Sequence, residues 1–204
     1  MKTVILANGK FPEHQKPLQI LRQTDVIVCC DGATANLIKF GMEPTAIVGD
    51  LDSLSNELKE QFRNRLFHNP DQNTNDLTKA TLWCEANGYK NITILGATGL
   101  REDHTLGNIG LLTSYATRGL NVEMVTDYGV FTPICRTTKF QSFLGQAVSV
   151  FSQNNETLVS TKNLEYPINK GKLTEYWMGT LNRSLGDWFE VELDAGSLII
   201  FQSF

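Results

Sequence analysis

The stretch DVIVCCDGATANLIKFGMEPTAIVGDLDS, residues 25–53, decides the fold. It opens with an apolar run rich in β-branched residues, continues through a helix-like segment from Ala33 to Phe40, and ends in a second apolar run, TAIVG (45–49). Short buried-type strands alternating with helices are the pattern of a parallel sheet covered by helices. The alternation extends both ways along the chain. Strands are expected at TVILAN (3–8), RLFHN (65–69), NITILGA (91–97) and NVEMVT (121–126), and helices over 17–23, 55–63, 76–86 and 103–117. Within the 76–86 stretch, Leu77, Ala80, Leu82 and Trp83 fall close to a helical stripe.

From about Thr137 the texture changes to Thr, Ser, Gly and aromatic residues around alternating apolar positions, as in AVSVFS, TLVSTKNLEYPI, EYWMGTL, WFEVEL and SLIIF. That reads as antiparallel strands forming a small sandwich or barrel. The segment DYGVFTPICR (127–136) reads as a bridge between the two parts, a hairpin with Gly129 at its turn. Two domains are therefore expected, an α/β domain over 1–128 and an all-β antiparallel domain over 129–204.

The 204 residues, 41% of them hydrophobic, suffice for real cores in either one large or two small domains. With 18 Lys and Arg against 22 Asp and Glu the net charge is -4. No dense basic run appears, which disfavours a broad nucleic-acid or anionic-membrane surface. The opening MKTVILANGKFPEHQ carries too short an apolar run for a signal peptide or a membrane span, so a cytoplasmic protein is expected. Cys29, Cys30, Cys84 and Cys135 lack CxxC spacing and indicate neither a zinc site nor a disulfide framework. They are expected to be reduced and mostly buried.

Open α/β sheets bind ligands beyond the carboxyl ends of their strands. Four such ends are acidic or glycine-rich: Asp31-Gly32-Ala33, Gly49-Asp50-Leu51-Asp52-Ser53, the run from Pro70 to Asp76, and the run from Thr98 to His104. A plainer account exists for several of these residues. Asp31, Asp76 and Asp103 stand at or near helix starts, where a carboxylate caps free N–H groups, and the glycines serve in turns. Capping does not explain the Asp50/Asp52 pair. In an extended segment residues i and i+2 face the same side, and like charges at close range need a cation or a proton. Oxygen-only ligands select a hard cation such as Mg²⁺, held with substrate phosphates; a solvated acidic loop is the alternative. Arg101, beside the Gly96–Gly99 turn and a helix start, makes an anion-binding corner suited to phosphate. Carboxylates and an arginine together suggest Mg²⁺-assisted phosphoryl-group transfer.

Taken in order, CDGA (30–33), GDLDS (49–53), DQNTNDLTKA (71–80), GATGLREDHTLGN (96–108), NLEYPI (163–168) and GTLN (179–182) resemble the successive signatures of the thiamine pyrophosphokinase family. The resemblance spans most of the chain. It implies a Rossmann-like α/β nucleotide-binding domain followed by a β-sandwich that binds thiamine. It also implies a homodimer with active sites at the subunit interface, and transfer of pyrophosphate from ATP to thiamine. By that resemblance Asp50, Asp52 and Asp76 would hold Mg²⁺ and the triphosphate. Asp31, Gln72, Lys79, Arg101, Asp103 and Asn108, with His104 beside them, would line the nucleotide side, and Thr180 and Asn182 the thiamine side. Asp76 or Asp103 would orient or deprotonate the attacking hydroxyl. Asn73 and Asn75 stand where the family usually has Asp and Thr, and Leu181-Asn182 where it has Ser-Asn.

A cationic aromatic acceptor calls for an aromatic wall, for which Trp177 and Trp188 are candidates beside their ordinary use in a sandwich core. Two rival functions share parts of the pattern. An apolar strand followed by DxDS also describes the aspartyl nucleophile of haloacid-dehalogenase-type phosphatases, but here the motif follows the third strand and no later acidic pair is suitably placed. A non-catalytic nucleotide sensor is the second rival.

Overall fold

The computed structural model describes residues 1–204. The chain divides into two compact units, Met1–Leu111 with Leu120–Asp127, and Leu112–Gly119 with Tyr128–Phe204. Up to Val125 the elements run β1 (Thr3–Leu6), α1 (Gln15–Arg22), β2 (Val26–Cys30), α2 (Ala33–Lys39), β3 (Ala46–Gly49), α3 (Asn56–Gln61), β4 (Leu66–His68), α4 (Asp76–Ala86), β5 (Asn91–Leu95), α5 (Glu102–Thr117, its first ten residues in the first unit) and β6 (Asn121–Val125). The strands lie in the order β4-β3-β2-β1-β5-β6, and every pairing is parallel. Residues of β1, β2 and β3 are buried throughout. That explains why their sequences are continuous apolar runs: parallel strands covered on both faces have no polar side to alternate with.

The order of the sheet fixes where a ligand can sit. The chain lays β1 to β4 outward in sequence, then returns through α4 to place β5 on the free edge of β1. The strand order reverses between β1 and β5, which makes their carboxyl ends the switch point of the sheet. Beyond the strands the two loops stay knitted together: Ala7, Gly9 and Lys10 donate backbone N–H groups to the carbonyls of Leu95, Gly96 and Thr98 at 2.8, 2.6 and 2.8 Å. Gly9 permits this approach, since a Cβ there would lie 2.5 Å from the Gly96 carbonyl oxygen.

The second unit contains β7 (Gly129–Ile134), β8 (Thr138–Gln141), β9 (Ala147–Ser152), β10 (Leu158–Lys162), β11 (Gly171–Lys172), β12 (Asn182–Arg183), β13 (Trp188–Leu193) and β14 (Leu198–Ser203). They form antiparallel ladders in the orders β12-β9-β14-β7 and β11-β10-β13-β8. One core holds both: Val148, Val150 and Ile200 from the first set pack with Val159, Phe189 and Val191 from the second. These are the alternate inward positions of their strands, so the unit is a sandwich.

Two local expectations differ. Gly129 is not at a hairpin turn but begins β7 and pairs with Ser203 of β14. A Cβ on it would lie 2.2 Å from the Gln202 carbonyl oxygen and 2.7 Å from the Phe201 ring, so glycine is required by close packing. The EYWMGTL segment forms no strand over its aromatic part; Tyr176–Gly179 is a 3₁₀ turn. It is closed by Met178 N–H to Glu175 O and Thr180 N–H to Trp177 O, both 3.1 Å. Gly179 anchors the turn against β9, where a Cβ would meet the Val150 carbonyl oxygen at 1.9 Å.

Gly129→Ala is expected to destabilise the protein by about 2 kcal/mol, the usual range for overpacking against unyielding backbone. A lowered urea midpoint measures this, and an unchanged midpoint would contradict the packing role.

Candidate active site

A cavity of about 460 Å³ opens at the switch point. It is lined by the loop after β1 (Ala7, Asn8, Gly9), by Asp50 and Ser53 after β3, by Gln72, Thr74 and Asn75 before α4, and by Asp76 and Lys79 on α4. Ala97 and Thr98 after β5 complete it with Arg101, His104, Thr105 and Asn108 at the start of α5. Of the residues expected on the nucleotide and metal side, Asp50, Gln72, Asp76, Lys79, Arg101, His104 and Asn108 are brought together here. Asp31, Asp52 and Asp103 are not part of the lining.

Asp31 lies behind the wall. It is 2% exposed, and its Oδ2 accepts the Ser53 N–H at 3.0 Å. Its carboxylate therefore does not cap α2, whose N-cap is Gly32 with no side-chain bond. The other oxygen, Oδ1, is buried without a hydrogen-bond partner. Burial raises the Asp31 pKa, and the charges of Asp76 and Asp50 push the same way. Gly49 makes room for this crowding: a Cβ there would lie 3.1 Å from the Asp31 Cβ and 3.4 Å from Asp76 Oδ1.

The Asp50-Leu51-Asp52 segment is not extended. Leu51 has φ 66°, in the left-handed region, and the Asp52 N–H donates to Asp50 Oδ1 at 3.1 Å. The backbone turns between the two aspartates, so the same-side argument for the pair does not describe them. Asp50 lines the cavity and Asp52 is exposed at the turn. Asp50 is held below the usual carboxylate range, first by the Asp52 N–H and then by the charge of Lys79 and the Gln72 amide, against the opposing effect of desolvation.

Helix α4 carries the next pair. Its N-cap is Asn75, whose side chain accepts from Thr78 N–H, so Asp76 stands free of the capping bond in the first turn, where the helix dipole favours its charge. Lys79, one turn on, is 3% exposed and reaches Asp76 Oδ1 at 3.2 Å. Arg101 pairs with Asp103 through two bonds, Nε to Oδ1 at 3.1 Å and Nη2 to Oδ2 at 2.5 Å. Asp103 is thereby lowered to about 2, first by Arg101 and then by the His104 N–H. A carboxylate so acidic and outside the lining is unsuited to accept a proton near neutral pH.

No three His, Cys, Asp or Glu side chains are grouped to hold a metal by themselves, so Asp50, Asp52 and Asp76 do not form a protein-only cage. The donors still suit Mg²⁺, which takes one or two carboxylates and completes its shell with phosphate oxygens and water. The unpartnered Asp31 Oδ1 behind them marks a place where positive charge is wanted. Cys30, also at the wall, is a thiol that burial pushes well upward, so it stays protonated. Cys29 and Cys84 are buried as well, and Cys135 is exposed.

The second unit has its own cavity of about 630 Å³, lined by Tyr166, Pro167, Ile168, Trp177, Met178, Thr180, Leu181 and Asn182. Thr180 and Asn182 are present, but their polar atoms hold the wall. Thr180 Oγ1 donates to Trp177 O at 2.7 Å. Asn182 Nδ2 donates to Tyr166 O, and its Oδ1 accepts from the N–H groups of Tyr166 and Arg183. Trp177 is 73% exposed at this cavity. Trp188 lies elsewhere, its ring covered by Lys139 Nζ at 4.0 Å.

Sequence reasoning missed Asn8 and Gly9, because neither residue is charged and the acidic strand ends drew attention elsewhere. The switch-point rule would have found them once the strand order was known. Ser53, Thr74, Thr98 and Leu100 fall within the strand ends that sequence reasoning singled out but were not named as site residues, nor was Thr105, since these residue types are ordinary loop and helix-start choices.

The fold and its switch-point cavity define a doubly wound α/β ligand-binding domain joined to an antiparallel sandwich. Residues 18–124 match the family model described as thiamin pyrophosphokinase, catalytic domain, and residues 129–201 match thiamin pyrophosphokinase, substrate-binding domain. The chain belongs to the thiamin pyrophosphokinase family. It is 32% identical over 152 residues to thiamine pyrophosphokinase 1 of Oryza sativa subsp. japonica, covering 61% of this chain and 55% of that protein. It is 30% identical over 137 residues to thiamine pyrophosphokinase of Bacillus subtilis, covering 61% of each. With thiamin pyrophosphokinase 1 of Caenorhabditis elegans the match covers 40% of the relative, so the chain spans about half the length of the curated relatives it matches. The crystal structure of the Bacillus subtilis thiamine pyrophosphokinase shares the fold, with a TM-score of 0.82 at 19% identity over 100% of this chain and 99% of that one. No helix is long and apolar enough to cross a membrane.

Asp31→Asn is expected to stabilise the protein in metal- and nucleotide-free buffer, since the amide keeps an acceptor for Ser53 N–H and removes a buried charge. Below the ordinary value of 3.8 Asp31 is protonated in both folded and unfolded chains, so the variant gains nothing there. Its advantage grows as pH rises from that value through the raised folded pKa, and then levels off. Urea denaturation of both proteins across pH measures this, and an advantage largest at low pH would contradict it.

Proposed function

We propose that the chain transfers the pyrophosphoryl group of ATP to the hydroxyl of thiamine, giving thiamine diphosphate and AMP, with Mg²⁺ required. The observation that carries the reading is the convergence of Asp50, Asp76, Lys79, Arg101 and Gln72 on one switch-point cavity in a chain of this family. Asp50 and Asp76, with Asp52 on the adjoining turn, would hold Mg²⁺, which supplies charge neutralisation to the triphosphate when bound.

The protein's own groups do the rest. Lys79 Nζ, kept at the wall by Asp76, offers its charge to a phosphate oxygen. Arg101 has five N–H donors, of which Asp103 takes two, leaving the others for the triphosphate. Both stabilise charge that builds on the phosphoryl oxygens in the transition state. The thiamine hydroxyl oxygen bonds to the β-phosphorus as the bond from that phosphorus to the α–β bridging oxygen breaks. The bonding pair leaves with AMP, and the hydroxyl proton passes to a carboxylate. Asp76 is the better acceptor, supported by its place in the lining and by the low pKa of Asp103.

The acceptor is assigned to the cavity of the second unit, where the exposed Trp177 ring offers a face to the cationic thiazolium and Tyr166 a second aromatic edge. Asn182 and Thr180 keep that wall in shape. The working state is proposed to be a homodimer, as the family resemblance implies.

AMP is expected to form in equal amount with thiamine diphosphate, and only when thiamine and Mg²⁺ are both present. Release of inorganic phosphate would point instead to a phosphatase of the haloacid-dehalogenase type, and binding of both substrates without AMP to a sensor. Asp50→Asn should lower kcat by about a hundredfold or more, the scale of losing one transition-state charge contact. Unchanged circular dichroism would accompany that loss, and turnover near the parent's would refute the role of Asp50.

A further inference from the structure

We infer that Asn75 is a positioning residue that sets the mouth of the switch-point cavity through a relay of two side-chain amides; the inference rests on the reading of that cavity as a nucleotide site. Asn75 Oδ1 accepts the Thr78 N–H at 2.9 Å, and its Nδ2 donates to Asn108 Oδ1 at 3.1 Å. Asn108 Nδ2 then donates to the Ala97 carbonyl oxygen at 2.8 Å. The polarity is forced from both ends. A backbone N–H can be met only by an oxygen, and a backbone carbonyl only by an N–H, so the two amides have one arrangement that satisfies all partners.

The relay joins three elements that line the cavity. Asn75 caps α4, which carries Asp76 and Lys79; Asn108 lies on α5, one turn beyond His104; Ala97 lies in the loop after β5, beside Thr98. It therefore fixes the spacing between the two helix starts on either side of the site. Asparagine alone does both jobs at position 75. Threonine or serine caps the helix but is too short to continue to Asn108. Aspartate caps as well, yet presents oxygen to the Asn108 oxygen. Asn75 is exposed, so water replaces the lost bond in the empty cavity and folding stability changes little. The effect appears when a ligand must be gripped from both sides.

Calorimetric binding of Mg–ATP to the full chain tests this with the parent, Asn75→Thr, Asn75→Asp, Asn108→Ala and the double variant Asn75→Thr/Asn108→Ala. Each single variant is expected to bind about five- to tenfold more weakly, the usual worth of one hydrogen bond, and the double variant no more weakly than Asn108→Ala. In turnover the KM for ATP rises while kcat stays within about twofold. Melting temperatures of both position-75 variants should stay within about 3 °C of the parent. Parent-like affinity in Asn75→Asp would show that capping is the whole role of the residue, and losses that multiply in the double variant would show that Asn75 does not act through Asn108; either result overturns the inference. Failure of the thiamine reading looks different: a parent that binds Mg–ATP but makes no AMP with thiamine, with the Kd series still deciding the relay.

Discussion

Three carboxylates crowd around one glycine at the ends of β2, β3 and the start of α4, and the site depends on that crowding. Gly49 has no Cβ to hold Asp31 and Asp76 apart, and Asp50 follows it directly. The sheet imposes the arrangement: dry parallel strands must place their first polar residues at the carboxyl edge, and neighbouring strands end side by side. Part of the repulsion is offset within the protein, by Ser53 N–H on Asp31, by Lys79 on Asp76 and by the N-terminus of α4. The unpartnered Asp31 oxygen shows that the offset is incomplete. The carboxylate side of the cavity, Asp50 and Asp76 with Asp31 behind them, is suited to a triphosphate that brings a cation.

The same edge supplies the opposite charge at a distance. Lys79 comes from α4 and Arg101 from the residue just before α5, and each is paired with its own carboxylate before any ligand arrives. Such prior placement is what catalysis by charge stabilisation requires, because nothing has to reorganise as the reaction proceeds. The amides of Asn75 and Asn108 add a neutral brace between those helices.

Much of this was legible in the sequence, for physical reasons. Strands buried on both faces must be continuous apolar runs, and DVIVCC and TAIVG could hardly be anything else. Sandwich strands alternate, and WFEVEL does so. Strand ends then drew attention to Asp50, Gln72, Asp76, Arg101 and His104, and the family resemblance added Lys79 and Asn108; all seven share one cavity. What escaped depended on backbone geometry or on distant partners. The left-handed Leu51 that separates Asp50 from Asp52 leaves no mark in residue type. The need for glycine at 129 comes from Gln202 and Phe201, far along the chain, and the loop at Asn8 matters only because β5 returns beside β1. Of Trp177 and Trp188, the first lines the cavity of the second unit, while the second lies under Lys139 of the paired strand, a difference no residue type announces.

The central claim is that the carboxylate cluster binds the triphosphate through a divalent cation, and titration calorimetry of ATP with and without magnesium measures it most directly. Tight binding in Mg²⁺ and loss of binding in chelator is the predicted result. Equal affinity in the two buffers would contradict the account, because the triphosphate would then be seated without the cation that Asp50 and Asp76 are assigned to hold.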